Sequence, residues 1–215
     1  MSSAAGTDGR ALKGAATRDR IIEAAREVLV THGHAGTSTR AVAEEAGVNL
    51  SQVHYHFGGR QGLLIEVLHR ENEALLARQN ALFSAPGPLS EKWRLASDFL
   101  EDDIQSGYVR VLWELWAAGL TDVELAAGWR EAVSHWHELL ESVFATWIDD
   151  VGLDLPITAK VMTTLVADVF YGIEVFRLGG VESGHREVLD MLGALIERAE
   201  EGLDYDALAR GWASK

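Results

Sequence analysis

An all-α fold is predicted by three features of the sequence. The chain has only three prolines against abundant Ala, Leu, Glu and Arg, a balance that favours helix. Apolar residues recur at spacings of three and four, most plainly Trp129, Val133, Trp136, Leu140, Phe144 and Trp147, which share one helical face. Breakers at Gly47 and at Pro86-Gly87-Pro88 divide these periodic stretches. The expected architecture is a three-helix N-terminal domain over 17–60, preceded by an arm over 1–16 and linked to a larger helical bundle over 61–215.

Residues 1–16 are Ser, Ala, Gly and Thr with Arg10 and Lys13 and have no apolar periodicity, so they read as a flexible arm. Such an arm either brushes a DNA minor groove or is a tail without a role, and both readings stand. The first helix is expected from Thr17 as N-cap to Gly33, burying Ile21, Ile22, Ala25, Val28 and Leu29. From Thr37 to Phe57 the sequence TSTRAVAEEAGVNLSQVHYHF reads as two short helices about a tight turn. Val42, Ala43 and Ala46 share a face, and Gly47 stops the helix where a left-handed residue costs least. Asn49 then caps the next helix, with Gln52 three residues on. This is a helix-turn-helix, whose second member suits a DNA major groove.

Val48 and Val53 point inward in that arrangement. Asn49, Ser51, Gln52, His54, Tyr55 and His56 include the side chains left to meet a partner, and no acid lies between Val48 and Phe57. Asn and Gln pair with adenine edges, Ser serves several bases, and Tyr or His reaches phosphate oxygens. Leu50 is placed either to touch a thymine methyl or to pack.

The run from Ile21 to Leu64, with IIEAAREVLVTHG before the hairpin, TSTRAVAEEAGV within it and YHFGGRQGLL after it, resembles the DNA-binding domain of the TetR family of bacterial repressors. The resemblance implies that Thr37 and Arg40, with Thr39 between them, belong to the helix that crosses the DNA backbone. It places Ser51, Gln52 and Tyr55 on the groove-facing helix, and Arg60 takes the place of the family's usual phosphate-directed lysine. The chain departs from the family pattern at Leu50, often polar or basic; at His54, often Tyr; and at Gln61-Gly62, usually an acidic pair.

A net charge of −14 looks wrong for a DNA binder, but it is unevenly spread. Residues 1–60 hold seven Lys or Arg against six Asp or Glu, whereas 61–215 hold twelve against twenty-seven. Phosphate affinity depends on charge within about 8 to 10 Å, so remote acid weakens non-specific binding without forbidding specific binding.

From Arg60 a long helix is expected to carry Leu63, Leu64, Val67, Leu68, Leu75, Leu76 and Leu82 to the proline breaker and to link the domains. Beyond it, helices are expected at Leu89 to Ser106, Val109 to Ala118, Thr121 to Asp150 with a Thr121/Glu124 capping box, Pro156 to Leu178, Ser183 to Glu201, and briefly from Asp204. All seven tryptophans, Trp212 included, lie there. An aromatic stripe is more often core than site. Yet Trp113, Trp116, Trp136, Phe170 and Tyr171, with Glu114 and Glu174, come from helices that converge in a small bundle. As a candidate pocket they would favour a small, largely apolar or cationic molecule, and the family resemblance implies an inducer there. Both glutamates would equally serve as solvated surface. Leu165, Val169, Val188, Leu192, Leu195 and Ile196, on the last two long helices, exceed what one bundle needs and suggest a homodimer interface. A two-fold dimer would meet a palindromic double-stranded operator.

Other chemistry finds little support. GGVESGHR at 179–186 lacks the Lys-Ser/Thr of a phosphate loop and follows a helix. His54/His56 and His135/His137 are two apart, about 200° around a helix, so neither pair chelates a metal. No nucleophile elbow or triad setting occurs, and the chain has no cysteine, compatible with a reducing cytoplasm. No catalytic residue, cofactor, metal or membrane span is expected. The sequence reads as a ligand-responsive, sequence-specific transcriptional regulator in the cytoplasm. The alternative is an architectural DNA binder or scaffold without an inducer.

Overall fold

The structure is a computed structural model, and it describes residues 4–152 and 157–202, with side chains from Leu12 onward. Those residues form nine α-helices and no strand: α1 Ala4–Gly36, α2 Thr39–Glu45, α3 Leu50–Phe57, α4 Arg60–Ser84, α5 Leu89–Ser106, α6 Tyr108–Gly119, α7 Val123–Val151, α8 Ala159–Leu178 and α9 His185–Glu200. They group into two compact units, one comprising the chain up to Leu75 with Ser106–Ser134, the other Leu76–Gln105 with the chain from His135 onward. The units therefore do not divide at residue 60. The first three helices share their unit with the start of α4, all of α6 and the first half of α7.

Three local expectations are corrected. Thr17 does not start a helix: α1 begins at Ala4, and the Thr17 hydroxyl donates to Lys13 O within it at 2.9 Å. The alanine-rich run before Thr17 has enough helix propensity to extend the helix into the expected arm. Thr121 does not cap α7 either. Its hydroxyl donates to Ala118 O, and Asp122 Oδ1 accepts from Glu124 N at 3.0 Å and Leu125 N at 3.1 Å. A carboxylate is the stronger acceptor for orphan helix donors. Finally, α8 begins at Ala159 behind a Thr158 cap. Pro156, the helix from Asp204 and Trp212 lie outside the described residues.

The first unit is packed with aliphatic side chains. Ile21, Ile22, Ala25, Val28 and Leu29 of α1 are buried as expected, with Val42, Ala43, Val53, Leu63, Leu64, Val67 and Leu68. Val109, Leu112 and Leu115 of α6 and Leu125 of α7 also belong to this unit's core. Burying each large aliphatic side chain contributes about 1.5 to 3 kcal/mol. Polar anchors bind α1 to the end of α5 and to α6. Arg26 donates to Ser106 O, and Glu114 Oε2 accepts from His34 N at 2.8 Å beside the break in α1 at Gly33, whose φ is +67°. A Cβ at Gly33 would stand 2.9 Å from the Glu114 carboxylate, so the contact needs glycine twice over.

The second unit is built on aromatic residues. Trp93, Trp136, Phe144, Trp147 and Phe170 are buried with Leu140, Val166, Ile173, Leu189 and Ile196. Trp93 Nε1 donates to Leu189 O at 2.9 Å, and Gly193 leaves the space the indole occupies. Glu200 of α9 acts as the N-terminal anion of α5: its carboxylate accepts from Leu89 N at 2.6 Å, the Ser90 hydroxyl and Trp147 Nε1 at 3.2 Å.

Candidate nucleic-acid interface

The reading surface begins with two caps and a turn. Ser38 Oγ accepts from Ala41 N at 3.1 Å to start α2, and Asn49 Oδ1 accepts from Ser51 N at 3.0 Å to start α3. Gly47, at φ +61°, makes the turn between them. Val53 of α3 is fully buried and Val48 is half-buried, so the opposite face of α3 is held outward. Asn49, Ser51, Gln52 and His54 are exposed and His56 is half-buried. Tyr55 is 81% exposed, the side chain of a large aromatic standing free in solvent. Its ring stands nearly perpendicular to that of His56, with the centroids 5.0 Å apart. On α2, Arg40 is exposed and Thr39 half-buried. The protruding groups are amides, hydroxyls, imidazoles and one guanidinium, which suits base edges and phosphates together. Leu50 is 37% exposed on the same helix.

Two expected contacts serve the fold instead. Thr37 is 1% exposed, and its hydroxyl donates to Gly33 O at 2.8 Å, so it is not presented to a partner. Arg60 is half-buried. Its Nε donates to Thr37 O and its Nη2 to His34 O, just past the break in α1 at Gly33, where His34 O also accepts from Thr37 N at 3.1 Å. That leaves Nη1 as the edge the guanidinium has to spare. The departure at Gly62 has a physical cause too, because a Cβ there would stand 2.3 Å from Phe57 O. Gly58, at φ +72°, ends α3 and donates to His54 O, so the chain turns sharply into α4.

The candidate pocket residues are divided between the units. Trp113, Glu114 and Trp116 belong to the first, where Trp113 contacts the rings of Trp116 and Trp129 at 5.5 and 6.2 Å. Glu114 is spent on His34 N and on Arg110, 3.8 Å away, so it anchors α1 rather than awaiting a ligand. Trp136, Phe170, Tyr171 and Glu174 belong to the second unit. Trp136 lies 6.2 Å from Phe170 and 5.5 Å from Tyr171. Burial, with Glu174 and Asp168 nearby, pushes the Tyr171 phenol far above its usual range, and burial holds the stacked His137 imidazole below its own. Their Nε2 and OH are 3.2 Å apart. Glu174 is buried.

Gln79, Phe83, Trp93 and Phe144, none of them among the residues expected at the pocket, surround the buried face of Trp136 and Phe170 in the second unit. A signal for Gln79 existed: the buried positions 68, 72, 75 and 79 of α4 are Leu, Asn, Leu, Gln, a helical stripe with polar interruptions. Among the expected dimer residues, Leu165 and Leu195 are 56% and 51% exposed, and Val169, Val188 and Leu192 are half-buried. Ile196 is only 6% exposed and belongs to the unit's own core, because α9 turns that face inward with Leu189. No described helix is long and apolar enough to cross a membrane.

Residues 21–67, which span this surface and the core beneath it, match the bacterial regulatory proteins, tetR family. The HTH-type transcriptional repressor AcnR of Corynebacterium glutamicum is 27% identical over 86% of this chain and 94% of its own. The multidrug binding protein EbrR, solved with imidazole, is 26% identical over 85% of this chain and 93% of its own, with a TM-score of 0.59. A transcriptional regulator of Saccharomonospora viridis, solved with choline, shares the fold at 19% identity and a TM-score of 0.68, covering 87% of this chain and 97% of that one. The matched segment contains the capped, acid-free α3 with its outward Ser51, Gln52 and Tyr55, so the chain carries a DNA-binding segment similar to that of the tetR family, and its similarity to curated repressors supports a DNA-binding transcriptional regulator.

Proposed function

We propose that the protein is a cytoplasmic repressor that acts as a homodimer on a palindromic operator and releases it when a small molecule enters the second unit. The observation that carries this reading is α3, polar and free of acid, with Tyr55 projecting unsupported from a closely packed aliphatic unit. A surface so built has no role in stability and suits a groove lined by phosphates. Arg40, Asn49, Ser51, Gln52, His54, Tyr55 and His56 are its contacts, with Thr39 at the margin.

The dimer reading rests on exposed apolar residues of α8 and α9, Leu165 and Leu195 with Val161 and Met191, each more than half exposed. Two such helices from each chain would close a four-helix bundle about a two-fold axis and set half-sites about 34 Å apart. The ligand reading rests on the aromatic interior of the second unit and on the ligands bound by EbrR and the S. viridis regulator. Release is a population shift: a ligand that prefers the non-binding state by about 1 to 3 kcal/mol moves the equilibrium away from DNA. The helix α4, which runs from Arg60 to Ser84, is the covalent link through which the two recognition helices would lose their spacing.

The test is fluorescence anisotropy of the purified protein against the DNA upstream of its own gene, at two salt concentrations, with random DNA as control. Selective binding with a steep salt slope is expected. Equal binding to both DNAs would overturn the reading.

A further inference from the structure

The N-terminal end of α3 carries a leucine that the fold does not bury. Leu50 is the first residue of the helix, and 37% of it stays exposed. The start of α3 is secured without it, because Asn49 supplies the cap by accepting from Ser51 N at 3.0 Å. The helix is held to its unit by Val53, fully buried three residues on, and by half-buried Val48 and Phe57. Around the helix axis Leu50 lies about 60° from Val53 on one side and about 40° from exposed His54 on the other, where the packed face turns into the presented one. Within the helix-turn-helix, Leu50 and Tyr55 are the large apolar side chains left exposed.

Its direction matters more than its exposure. Helical side chains lean toward the N-terminus, so a residue in the first turn overhangs the end of its helix. That end of a recognition helix is the one whose side chains meet base edges in the major groove. The edges exposed there are hydrogen-bonding groups, with one exception, the C5-methyl of thymine. A leucine pressed against a polar edge takes water from donors and acceptors and returns nothing to them. Against a thymine methyl, two apolar surfaces leave water together. The polar edges fall to Leu50's neighbours: Ser51 and Gln52 are exposed beside it, and the first turn holds no acid.

We propose that Leu50 is a specificity-determining residue that reads the C5-methyl of a thymine at one position of each half-site. Cytosine is rejected at that position because it lacks the methyl and presents an amino donor that leucine leaves unpaired. The assignment rests on the regulator reading above and deepens it, naming one base the protein selects and the group by which it does so. It also divides the work along α3. Amide and hydroxyl side chains pair with heteroatoms, and Leu50 adds the apolar contact. The departure from the TetR pattern at this position, often polar or basic, therefore changes which base edge is read.

The test uses the full chain and a pool of random duplexes of about 24 base pairs, room for two half-sites, from which the wild-type protein selects its preferred sequence. Each thymine of that sequence is then replaced by deoxyuridine, one symmetric pair at a time, which removes the methyl and keeps the base pairing. For the pair under Leu50, anisotropy should show wild-type affinity falling roughly fourfold per half-site, the worth of one buried methyl, and about fifteenfold over both. Leu50→Ala should bind the thymine and uracil forms of that pair nearly equally. Leu50→Met, which keeps an apolar side chain, should retain most of the difference. The ratio within each variant cancels any change in stability or overall affinity, which both duplexes feel alike. A uracil penalty as large in Leu50→Ala as in the wild type, at every thymine, would overturn the proposal and leave Leu50 a packing residue. That result leaves sequence selection intact. A pool that yields no preferred sequence would instead sink the regulator reading, and this assignment with it.

Discussion

The first unit is filled with Ile, Leu and Val and the second with Trp and Phe, and the two kinds of core suit different work. Branched aliphatic side chains interlock and leave few alternative packings, so the first unit holds α3 in one register. Flat rings packed edge to face leave slots between them, and the second unit retains a small void beneath half-buried Phe83 and Val143. One unit is built for a fixed surface and the other for an adjustable interior. Paired substitutions in the two units test that contrast.

The largest effect is expected from glycine. In Gly62→Val a Cβ would meet the Phe57 carbonyl at 2.3 Å, and backbone cannot give way cheaply. The first unit should lose about 3 kcal/mol or more, read as a fall in the urea midpoint with loss of operator binding. Its counterpart in the second unit, Gly193→Ala, meets the Trp93 indole at 2.9 Å. A side chain can shift, so a cost of about 1 to 3 kcal/mol is expected, with operator affinity retained. If both substitutions cost the same, the contrast between a rigid and an adjustable core fails.

Arg60→Ala should come next. It removes the guanidinium donors from Thr37 O and His34 O, of which His34 O keeps Thr37 N, and should destabilise the first unit by about 1 to 2 kcal/mol, measured by urea unfolding without DNA. An unchanged midpoint together with a salt slope reduced by about one would return Arg60 to a phosphate role. Tyr55→Phe is the complement. At 81% exposure the hydroxyl supports nothing in the fold, so stability should stay within about 0.5 kcal/mol while operator affinity falls severalfold in the anisotropy titration.

The same contrast explains what could be read from the sequence. The helix-turn-helix is made of local signals, a cap at Asn49, a left-handed glycine at Gly47 and an inward Val53, all within one short stretch. Its outward face therefore followed directly. Thr37 and Arg60 misled because a residue type suited to phosphate is equally suited to the carbonyls at the end of a helix, and only the path of α1 past Gly33 decides between them. Thr121 and Asp122 posed a similar choice between adjacent acceptors. The interior of the second unit was less legible still. It brings Gln79 and Phe83 of α4 together with Trp93 of α5, Trp136 and Phe144 of α7 and Phe170 of α8, and helical periodicity reports which face is buried but not which neighbour it meets. Trp113 and Glu114 were grouped with Trp136 for that reason, although α6 packs in the other unit.

The smallest effect concerns one histidine in each unit. Burial lowers the pKa of both His34 and His137 below 6.5; Arg60 adds to the effect at His34, while Glu114 and Asp122 oppose it, and Asp168 opposes it at His137. The folded chain therefore binds these protons less readily than the unfolded chain does. The stability that comes from keeping them neutral is complete above about pH 6.5 and declines as the pH falls through the depressed folded values. Thermal midpoints should accordingly drop between about pH 6.5 and 5, before most carboxylates titrate. In His137→Phe the part of that slope belonging to the second unit should vanish, and the part due to His34 should persist. A slope left whole by that substitution would place the titration in the reading unit alone, and the ring of His137 would then be held by Tyr171 without any consequence of its charge.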